Sequence, residues 1–554
     1  MRRSFLPPLP RDRWLAWLLR EDVRGEGYAW DEVRGRRFRL WWLVHGRREY
    51  PGAAPPTPQE VARAFAPVPF HAGSRLVEVP AVLAELWAER SDLRAQYAGA
   101  SEADIESLLR WFYLVGVRQC GLADILPPAH QIAFRRLGQW LESDPNSAPL
   151  RRLLAGGAAA PAPAAALPIG RPQRRDGVNL VGFPRGQFGL GEDIRMAAAA
   201  LAAAAVPFSV LAMKEQSDWR HRDPALDPHI CEDAPFAINL LCGPGFEAAG
   251  WRLRLGDGLW RERHTIGWWP WELPRWPQCW QPAFELVDEL WAASRYAREA
   301  YLPDCPVPLR LMPPAVAVDR LQPRSRASLG LPEGVFLFTF VFDGSSHLAR
   351  KNPEAAVAAF REAFPGGGEP VGLVLKGMNA AAAPGWPDLA LAAAADPRIL
   401  LIDEIWPRED VLALLGACDA VVSLHRAEGF GRHLAEAMLL EKPVVATGFS
   451  GNADFLTPAT GFPVRFSQRR IGRGEYPFGD GQFWAEPDIA EAAAQMRRLA
   501  ADPAAARPIA LAGRDLIAER FSPEACGRQM RQRLLELGLD RAAIGADDRE
   551  NAGS

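Results

Sequence analysis

The sequence predicts an α/β protein with two doubly wound parallel-sheet lobes facing each other across a cleft, preceded by a mostly helical domain. Two series of short, continuously apolar segments alternate with helical or loop stretches, a pattern typical of parallel sheets covered on both faces. The first 150 residues instead carry apolar residues at three- and four-residue spacing, which predicts helices. The segment between the two patterns is rich in alanine, proline and glycine and is typical of a linker.

These patterns divide the chain into five predicted segments. They are a mostly helical domain at 1–154, a linker at 155–176, a first lobe at 177–318, a second lobe at 319–540 and a disordered tail at 541–554. The predicted strands of the first lobe are GVNLVGF (177–183), FSVLAM (208–213), FAINLLC (236–242), HTIGWW (264–269) and ELWAAS (289–294). Those of the second are FLFTFVF (336–342), VGLVLKG (371–377), RILLIDE (398–404), AVVSLH (420–425) and PVVATG (443–448). Ligands of such sheets bind at the carboxyl ends of the strands, so we expect the site in the cleft.

Composition excludes several classes of protein. A net charge of −3 over 554 residues gives no global argument for nucleic-acid binding, and no uncharged apolar run reaches the 18 residues of a membrane span. The N-terminus, MRRSFLPPLPRDRW, is too interrupted by proline and arginine for a signal peptide. Seven scattered cysteines without a C-x-x-C pair favour reduced thiols and a cytoplasmic location.

The stretch HRAEGFGRHLAEAM, residues 425–438, carries the strongest functional signal. A predicted strand precedes it, so Glu428 and the glycines Gly429 and Gly431 lie in the loop at the strand's carboxyl end, and Glu436 lies one turn into the next helix. Glycines let a ligand approach the backbone, and the free N–H groups of a helix start favour an anion. Two carboxylates flanking an anion site suit a ligand with a central phosphate and hydroxyl-rich ends, such as a nucleoside diphosphate sugar.

These residues, with Lys442-Pro-Val-Val-Ala-Thr447 and Ser450-Gly-Asn452, resemble the donor-site signature of glycosyltransferase family 4. Its members are retaining enzymes of the GT-B fold, which has two Rossmann-like lobes. The resemblance covers about residues 177–540 and implies that Glu428 holds hydroxyls of the donor sugar and Glu436 those of the ribose. It also implies that the backbone amides of Gly429, Phe430 and Gly431 lie against the sugar and the diphosphate.

A second segment, residues 336–360, predicts a strand, a polar loop and a helix that starts at Asn352-Pro353. Arg350 and Lys351 precede that helix at the cleft, where cations stabilise a departing diphosphate. Only four of the 64 basic residues are lysine, and the resemblance assigns this role to a lysine here. Many relatives carry an earlier arginine where this chain has Asp343-Gly-Ser-Ser346, which leaves open whether Arg350 replaces it.

Other candidate residues follow from their position at strand ends. Lys376 ends a strand of the second lobe and is either a donor-side cation or a surface charge. The loop GFPRGQFGLGEDIR (182–195) brings Gly189 and Gly191 to a helix start, and the resemblance places such a loop against the diphosphate. Trp271 and Glu272 lie in a tryptophan-rich stretch and are candidates for acceptor binding, although for any single tryptophan a core position is the better prediction.

No D-x-D occurs in the chain, so we expect no metal cofactor; arginine, lysine and a helix start would neutralise the diphosphate instead. The first 50 residues hold 12 arginines and seven acidic residues. Their basic, aromatic stretch FRLWWLVHGRR (38–48) suits peripheral contact with anionic lipid at the inner face of a membrane. It equally suits a structural role, as a packed helical cap or an oligomerisation module, which we favour.

The predicted function is therefore retaining transfer of a hexose from a nucleotide sugar to a glycan or lipid-linked acceptor, in bacterial surface-polysaccharide synthesis. Two alternatives stay open: a GT-B sugar-nucleotide epimerase, and a degenerate transferase fold that serves as a binding or scaffolding subunit. The residues identify neither the base, the sugar nor the acceptor.

Overall fold

The computed structural model describes residues 9–25, 27–28, 30–72, 75–98, 101–143, 174–213 and 222–540. The predicted linker up to residue 173, the predicted tail from residue 541 and Lys214 lie outside them. The chain divides into two units, residues 1–171 with 249–261 and residues 172–248 with 262–554.

The first unit is mostly helical, as predicted, but it also contains an antiparallel strand pair that the sequence reading missed. Strands β1 (Pro67–Ala72) and β2 (Arg75–Pro80) pair along their full length. The helices are Arg11–Leu19, Glu21–Arg24, Glu32–Trp41, Arg47–Glu49, Pro58–Ala64, Ala81–Glu89, Ser91–Gln96, Glu102–Trp111, Val117–Gln119 and Pro128–Ser143, with π-helical turns at Trp42–Gly46 and Phe112–Gly116. We number the α-helices α1 to α10 in this order.

The aromatic side chains of FRLWWLVHGRR are largely core residues. Phe38 is fully buried and Trp42 is 2% exposed, while the Arg13 guanidinium stacks 4.4 Å above the Trp42 ring. This packing favours the helical-cap interpretation of the stretch. In the described part of the chain, no helix has both the length and the apolar character needed to cross a bilayer.

The second unit contains two six-stranded parallel sheets, which confirms the predicted pair of doubly wound lobes. The strands of the first sheet are β3 (Arg175–Gly182), β4 (Phe208–Ala212), β5 (Phe236–Cys242), β6 (His264–Trp269), β7 (Glu289–Ala292) and β8 (Leu309–Leu311), in the order β4-β3-β5-β6-β7-β8. Those of the second are β9 (Phe336–Asp343), β10 (Val371–Met378), β11 (Ile399–Asp403), β12 (Ala420–Ser423), β13 (Val444–Thr447) and β14 (Phe462–Val464), in the order β11-β10-β9-β12-β13-β14. Each order reverses beside the first strand of its lobe, which is where such sheets open a ligand crevice.

Helices connect these strands. They are α11 (Gly189–Ala203), α12 (Gly245–Leu255), α13 (Arg295–Tyr301), α14 (Leu348–Lys351), α15 (Pro353–Ala363), α16 (Trp386–Ala394), α17 (Arg408–Ala417), α18 (Arg432–Leu439), α19 (Ile489–Ala501), α20 (Pro503–Phe521) and α21 (Pro523–Glu536). All ten predicted strand segments are strands. The reading missed β8, β14 and the antiparallel pair β15 (Phe466–Arg470) and β16 (Phe483–Pro487); β15 is largely exposed and polar, so it lacks the apolar run used as the signal.

Within the described residues, the last helix, α21, packs against α11 of the other lobe. At the closest point a Cβ on Gly527 of α21 would lie 2.2 Å from the Ala200 carbonyl oxygen of α11, so only glycine fits there. Arg533 of α21 donates to both oxygens of the fully buried Glu289 carboxylate at 3.0 Å. The indole N–H of Trp291 donates to the same carboxylate at 2.7 Å. The buried Glu289 carboxylate thus fixes the position of α21 through Arg533.

We expect Arg533→Ala to lower the free energy of unfolding by about 2–3 kcal/mol, because it removes charged hydrogen bonds from a buried carboxylate. The midpoint of chemical denaturation measures this effect. Arg528→Ala removes an exposed arginine of the same helix and should change stability by less than about 0.5 kcal/mol. Equal effects of the two substitutions would contradict the role of the Glu289 pair.

Candidate active site

The reversal point of the second sheet brings together residues that are 77 positions apart. Strands β9 and β12 are neighbours there, and Lys351 follows β9 as Glu428 follows β12. The Lys351 ammonium donates to Glu428 Oε1 at 2.6 Å. Both side chains line a cleft of about 660 Å³ between the two lobes of this unit. Two of the predicted site residues therefore form one ion pair at the cleft surface.

Arg350 holds the loop that carries Glu428. It is 2% exposed, donates to the Ala427 carbonyl at 2.8 Å and lies 3.4 Å from the Glu428 carboxylate. Both cations lie in the last turn of α14, and Asn352 follows in a left-handed conformation before α15 begins. Arg350 thus contacts both the backbone and the carboxylate of the Glu428 loop, whereas the Lys351 ammonium donates to the Glu428 carboxylate.

The charge state of Glu428 follows from these partners. Burial by itself would raise the pKa of Glu428, but the Lys351 and Arg350 cations outweigh burial and hold the pKa well below its usual range. The side chain is therefore a carboxylate. Within the described residues only Oε1 of Glu428 has hydrogen-bond partners, so Oε2 remains available to accept a hydrogen bond.

The loop glycines serve close packing as well as ligand access. Gly431 has φ +88° and caps α18, a conformation that favours glycine. A Cβ on Gly429 would lie 3.1 Å from the Trp271 carbonyl oxygen, and the Ser294 hydroxyl donates to the Gly429 carbonyl at 2.6 Å, so the two lobes meet at this glycine. The Phe430 ring belongs to the hydrophobic core of the second lobe.

Glu436 is paired with an arginine that the sequence reading missed. Arg408, the first residue of α17, donates to Glu436 Oε1 and also lies 3.6 Å from Glu192 of the first lobe. Burial raises the pKa of Glu436, and Arg408 only partly opposes this. Burial also acts to raise the pKa of Glu192, but Arg408 and Arg195 outweigh it and set the value at about 2. One arginine thus links carboxylates of both lobes.

Arg408 and Glu192 carry signals that the sequence analysis did not use. Arg408 follows a strand of the second lobe, and Glu192 follows the loop glycine Gly191, so the same rule about strand ends would have selected both. Tyr476 had no such signal. It lies in the loop between β15 and β16 and donates to Glu272 at 2.9 Å.

Lys376 lies at the cleft and is almost fully buried. Its ammonium donates to the carbonyl oxygens of Gly377 at 2.7 Å and Glu404 at 2.5 Å, and it lies 5.0 Å from the centre of the Trp406 ring. Burial lowers its pKa to about 8, against the opposing effect of Asp403. The alternative of an exposed surface charge is therefore wrong.

The two glycines of the first-lobe loop differ in position. Gly189 begins α11 and lines the cleft. Gly191 is buried, and a Cβ there would lie 2.0 Å from the Gly186 carbonyl oxygen, so this glycine lets the loop fold back on itself. Its contribution is to the shape of the loop.

The candidates for acceptor binding also reach the cleft. Trp271 and Glu272 both line it, and Glu272 lies 3.8 Å from Arg350, which joins it to the charge cluster around Glu428. Trp271 is 4% exposed and donates to the Arg275 carbonyl at 3.1 Å. The tryptophans of this stretch are all buried, as predicted for core rings; they are Trp268, Trp269, Trp271, Trp276, Trp280 and Trp291.

The part of the chain that holds most of these residues matches a known family. Residues 322–469 match the model described as "Glycosyl transferases group 1", and this range includes Lys351, Lys376, Arg408, Glu428 and Glu436. No curated protein matches the chain. The fold and the matched range together support a class, the glycosyltransferases of the GT-B fold.

Two solved structures are similar to the chain at low sequence identity. Sucrose-phosphate synthase from Thermosynechococcus elongatus has a TM-score of 0.50 and 18% identity, over 66% of this chain and 99% of its own. HepE (Alr3699) of Anabaena in complex with UDP and glucose has a TM-score of 0.48 and 15% identity, over 65% of this chain and 100% of its own. The first likeness confirms the predicted GT-B architecture.

We expect Lys376 to lose its proton near pH 8 in the folded protein, because burial disfavours the charged ammonium. It is therefore cationic below pH 8 and neutral above, whereas in the unfolded chain it stays cationic to about pH 10.4. Competitive acetylation with limiting reagent across this range, read by mass spectrometry, resolves each of the four lysines. Urea-unfolded protein is the control, and a folded-state midpoint as high as in urea would contradict the expectation.

Proposed function

We propose that the chain transfers a hexose, with retention of configuration, from a nucleoside diphosphate sugar to a hydroxyl of a glycan or lipid-linked acceptor. The observation that carries this proposal is the Lys351–Glu428 pair at the reversal point of the second sheet, inside the range that matches the group 1 family. This pair sets a cation and a carboxylate side by side at the cleft. A sugar joined to a phosphate needs both kinds of partner.

We assign binding of the donor's diphosphate to the cations that line the cleft. Lys351 and Lys376 line the cleft, and α18 begins there at Gly431. A lysine and the N–H groups of a helix start stabilise negative charge as it develops on a departing phosphate. We assign the leaving diphosphate to these groups, with no requirement for a metal ion. Arg350, with its guanidinium engaged by the Glu428 loop, serves to hold that loop.

We assign binding of the sugar and ribose hydroxyl groups to the two carboxylates. Oε1 of Glu428 is held by cations, which leaves Oε2 to accept from hydroxyls of the donor sugar. Glu436 has the same arrangement, with Arg408 on Oε1 and Oε2 left for the ribose. A carboxylate with one oxygen fixed by charged partners is oriented before the ligand arrives, which lowers the entropic cost of binding.

The chemistry then needs no protein nucleophile. The acceptor oxygen bonds to the anomeric carbon on the face from which the diphosphate departs, the bond from that carbon to the phosphate oxygen breaks, and the acceptor proton passes to the departing phosphate. Trp271 and Glu272 line the cleft beside the Glu428 cluster and are our candidates for acceptor binding. We further propose a cytoplasmic enzyme of surface-polysaccharide synthesis that meets lipid-linked acceptors at the membrane.

A thermal-shift series with GDP-, UDP-, dTDP- and ADP-sugars tests donor binding, and product analysis tests transfer. We expect one nucleotide class to raise the melting temperature, and the sugar of that donor to appear on an acceptor. An isomerised donor would identify an epimerase instead. Binding without turnover would identify a binding subunit.

Variants of the central pair test the site, and we expect Lys351→Met and Glu428→Gln each to lower kcat by about 10²-fold. Glu428→Gln leaves the Lys351 ammonium without its carboxylate and costs about 3 kcal/mol or more of stability. Lys351→Met costs less, because Arg350 remains 3.4 Å from the Glu428 carboxylate. The double variant Lys351→Met/Glu428→Gln should recover stability while remaining inactive, because it restores neutrality without restoring the chemistry. Recovery of activity in the double variant would reduce the pair to a structural role.

Glu436→Gln tests the ribose contact. We expect it to raise KM for the donor more than it lowers kcat, because a ribose contact is the same in the ground state and the transition state. Glu441→Gln, outside the cleft and paired with Arg514, is the matched control. An unchanged KM in Glu436→Gln would place the ribose elsewhere.

A further inference from the structure

Two histidines near the end of β12 belong to one chain of hydrogen bonds that reaches the cleft. The chain begins at Asn452 in the loop after β13, passes through His425 and the Ser423 hydroxyl, and ends at His433 in the first turn of α18. Its links are Asn452 Oδ1 to His425 Nε2 at 3.0 Å, His425 Nδ1 to Ser423 Oγ at 3.0 Å, and Ser423 Oγ to His433 Nε2 at 3.4 Å. The first three residues are fully buried, and His433 lines the cleft.

The buried end of this chain determines the direction of every link. Asn452 Nδ2 donates to the Thr447 carbonyl oxygen at 2.8 Å, and a carbonyl can only accept. The amide oxygen of Asn452 is therefore the atom that faces His425, so His425 Nε2 must carry the hydrogen. Burial lowers the pKa of His425, so the ring is neutral and its Nδ1 has a lone pair.

The link between Ser423 and His433 has a fixed direction as well. The Ser423 hydroxyl has one hydrogen, which it donates to His425 Nδ1, so toward His433 it can only accept. His433 Nε2 must therefore carry a hydrogen. Burial lowers the pKa of His433 to about 3, even though Glu428 acts to raise it, so this ring too is neutral. Its Nδ1 is left as a hydrogen-bond acceptor with no partner among the described residues.

We propose that His433 Nδ1 accepts a hydrogen bond from a hydroxyl of the transferred sugar, and that Asn452, His425 and Ser423 are positioning residues that select this tautomer. The inference rests on the proposed function. A bare nitrogen lone pair attracts a hydroxyl and repels a phosphate oxygen, so His433 adds to the sugar end of the site. His433 and Glu428 line the same cleft, so the ring is available to the same sugar as the carboxylate.

The tautomer is measurable without any ligand. In protein labelled with 15N-histidine, long-range 1H–15N spectra distinguish Nδ1–H from Nε2–H rings, and the His433→Asn spectrum identifies the His433 signals among the nine histidines. We expect the Nε2–H form for His433 in the wild type and a mixture of forms in Ser423→Ala, where the bridging acceptor is gone. An Nδ1–H ring in the wild type, or no change in Ser423→Ala, would overturn the relay.

Binding measurements distinguish a contact to the sugar from a contact to the nucleotide. Calorimetry with UDP-glucose against UDP, and with GDP-mannose against GDP, compares the wild type with His433→Phe and His433→Asn. For the pair that binds, we expect His433→Phe to weaken the sugar nucleotide by about threefold to tenfold and to leave the diphosphate unchanged. His433→Asn keeps an acceptor two bonds from Cβ, at the place of Nδ1, and should recover most of the loss.

The possible contrary results distinguish a failure of the sugar contact from a failure of the proposed function. If His433→Phe binds the sugar nucleotide as the wild type does, or weakens the diphosphate equally, His433 does not contact the sugar although the donor site stands. If none of the GDP-, UDP-, dTDP- and ADP-sugars binds the wild type, the proposed function fails and the sugar contact fails with it. The spectrum of His433 then still decides whether the relay exists.

Discussion

The ion pair between Lys351 and Glu428 is the interaction on which the candidate site depends. It exists because β9 and β12 are neighbours at the point where the order of the second sheet reverses. The loops that leave these two strands must pass close to each other, so the side chains that follow them meet. The Lys351 and Arg350 cations hold the pKa of Glu428 well below its usual range, and Arg350 also donates to the backbone of the Glu428 loop. The cleft surface is therefore preorganised, with a carboxylate and a cation at defined positions.

A second set of charges joins the lobes around the cleft. Arg408 pairs with Glu436 in its own lobe and with Glu192 in the other, and Arg432 pairs with Asp193 of the first lobe. Each of these arginines contacts one carboxylate near the start of α11, so the first lobe contributes negative charge where the second contributes positive charge. A ligand that enters between the lobes must compete with, or add to, these pairs. Helix α21 also packs against α11.

Four of the strands that the sequence analysis did not predict share a physical feature. β1, β2, β15 and β16 belong to two-stranded antiparallel sheets, and β15 is largely exposed. A strand without two covered faces needs no continuous apolar run, so it leaves a weak signal. The prediction succeeded for the central strands β9, β10, β12 and β13 because burial on both faces of the sheet favours a continuous apolar run. Gly191 and Phe430 also have packing roles that the sequence did not indicate: Gly191 lets its loop fold back on itself, and the Phe430 ring lies in the core.

The sequence by itself determined the two parallel sheets, the loop position of Glu428, the helix that carries Glu436 and the start of α15 at Pro353. These features depend on local periodicity and on the residues next to them in the chain. The tertiary structure alone decided the partners: Glu428 with Lys351, Glu436 with Arg408, and His433 with Ser423. The order of strands in a sheet brings those partners together, and that order depends on contacts between segments far apart in the chain, which local patterns do not encode.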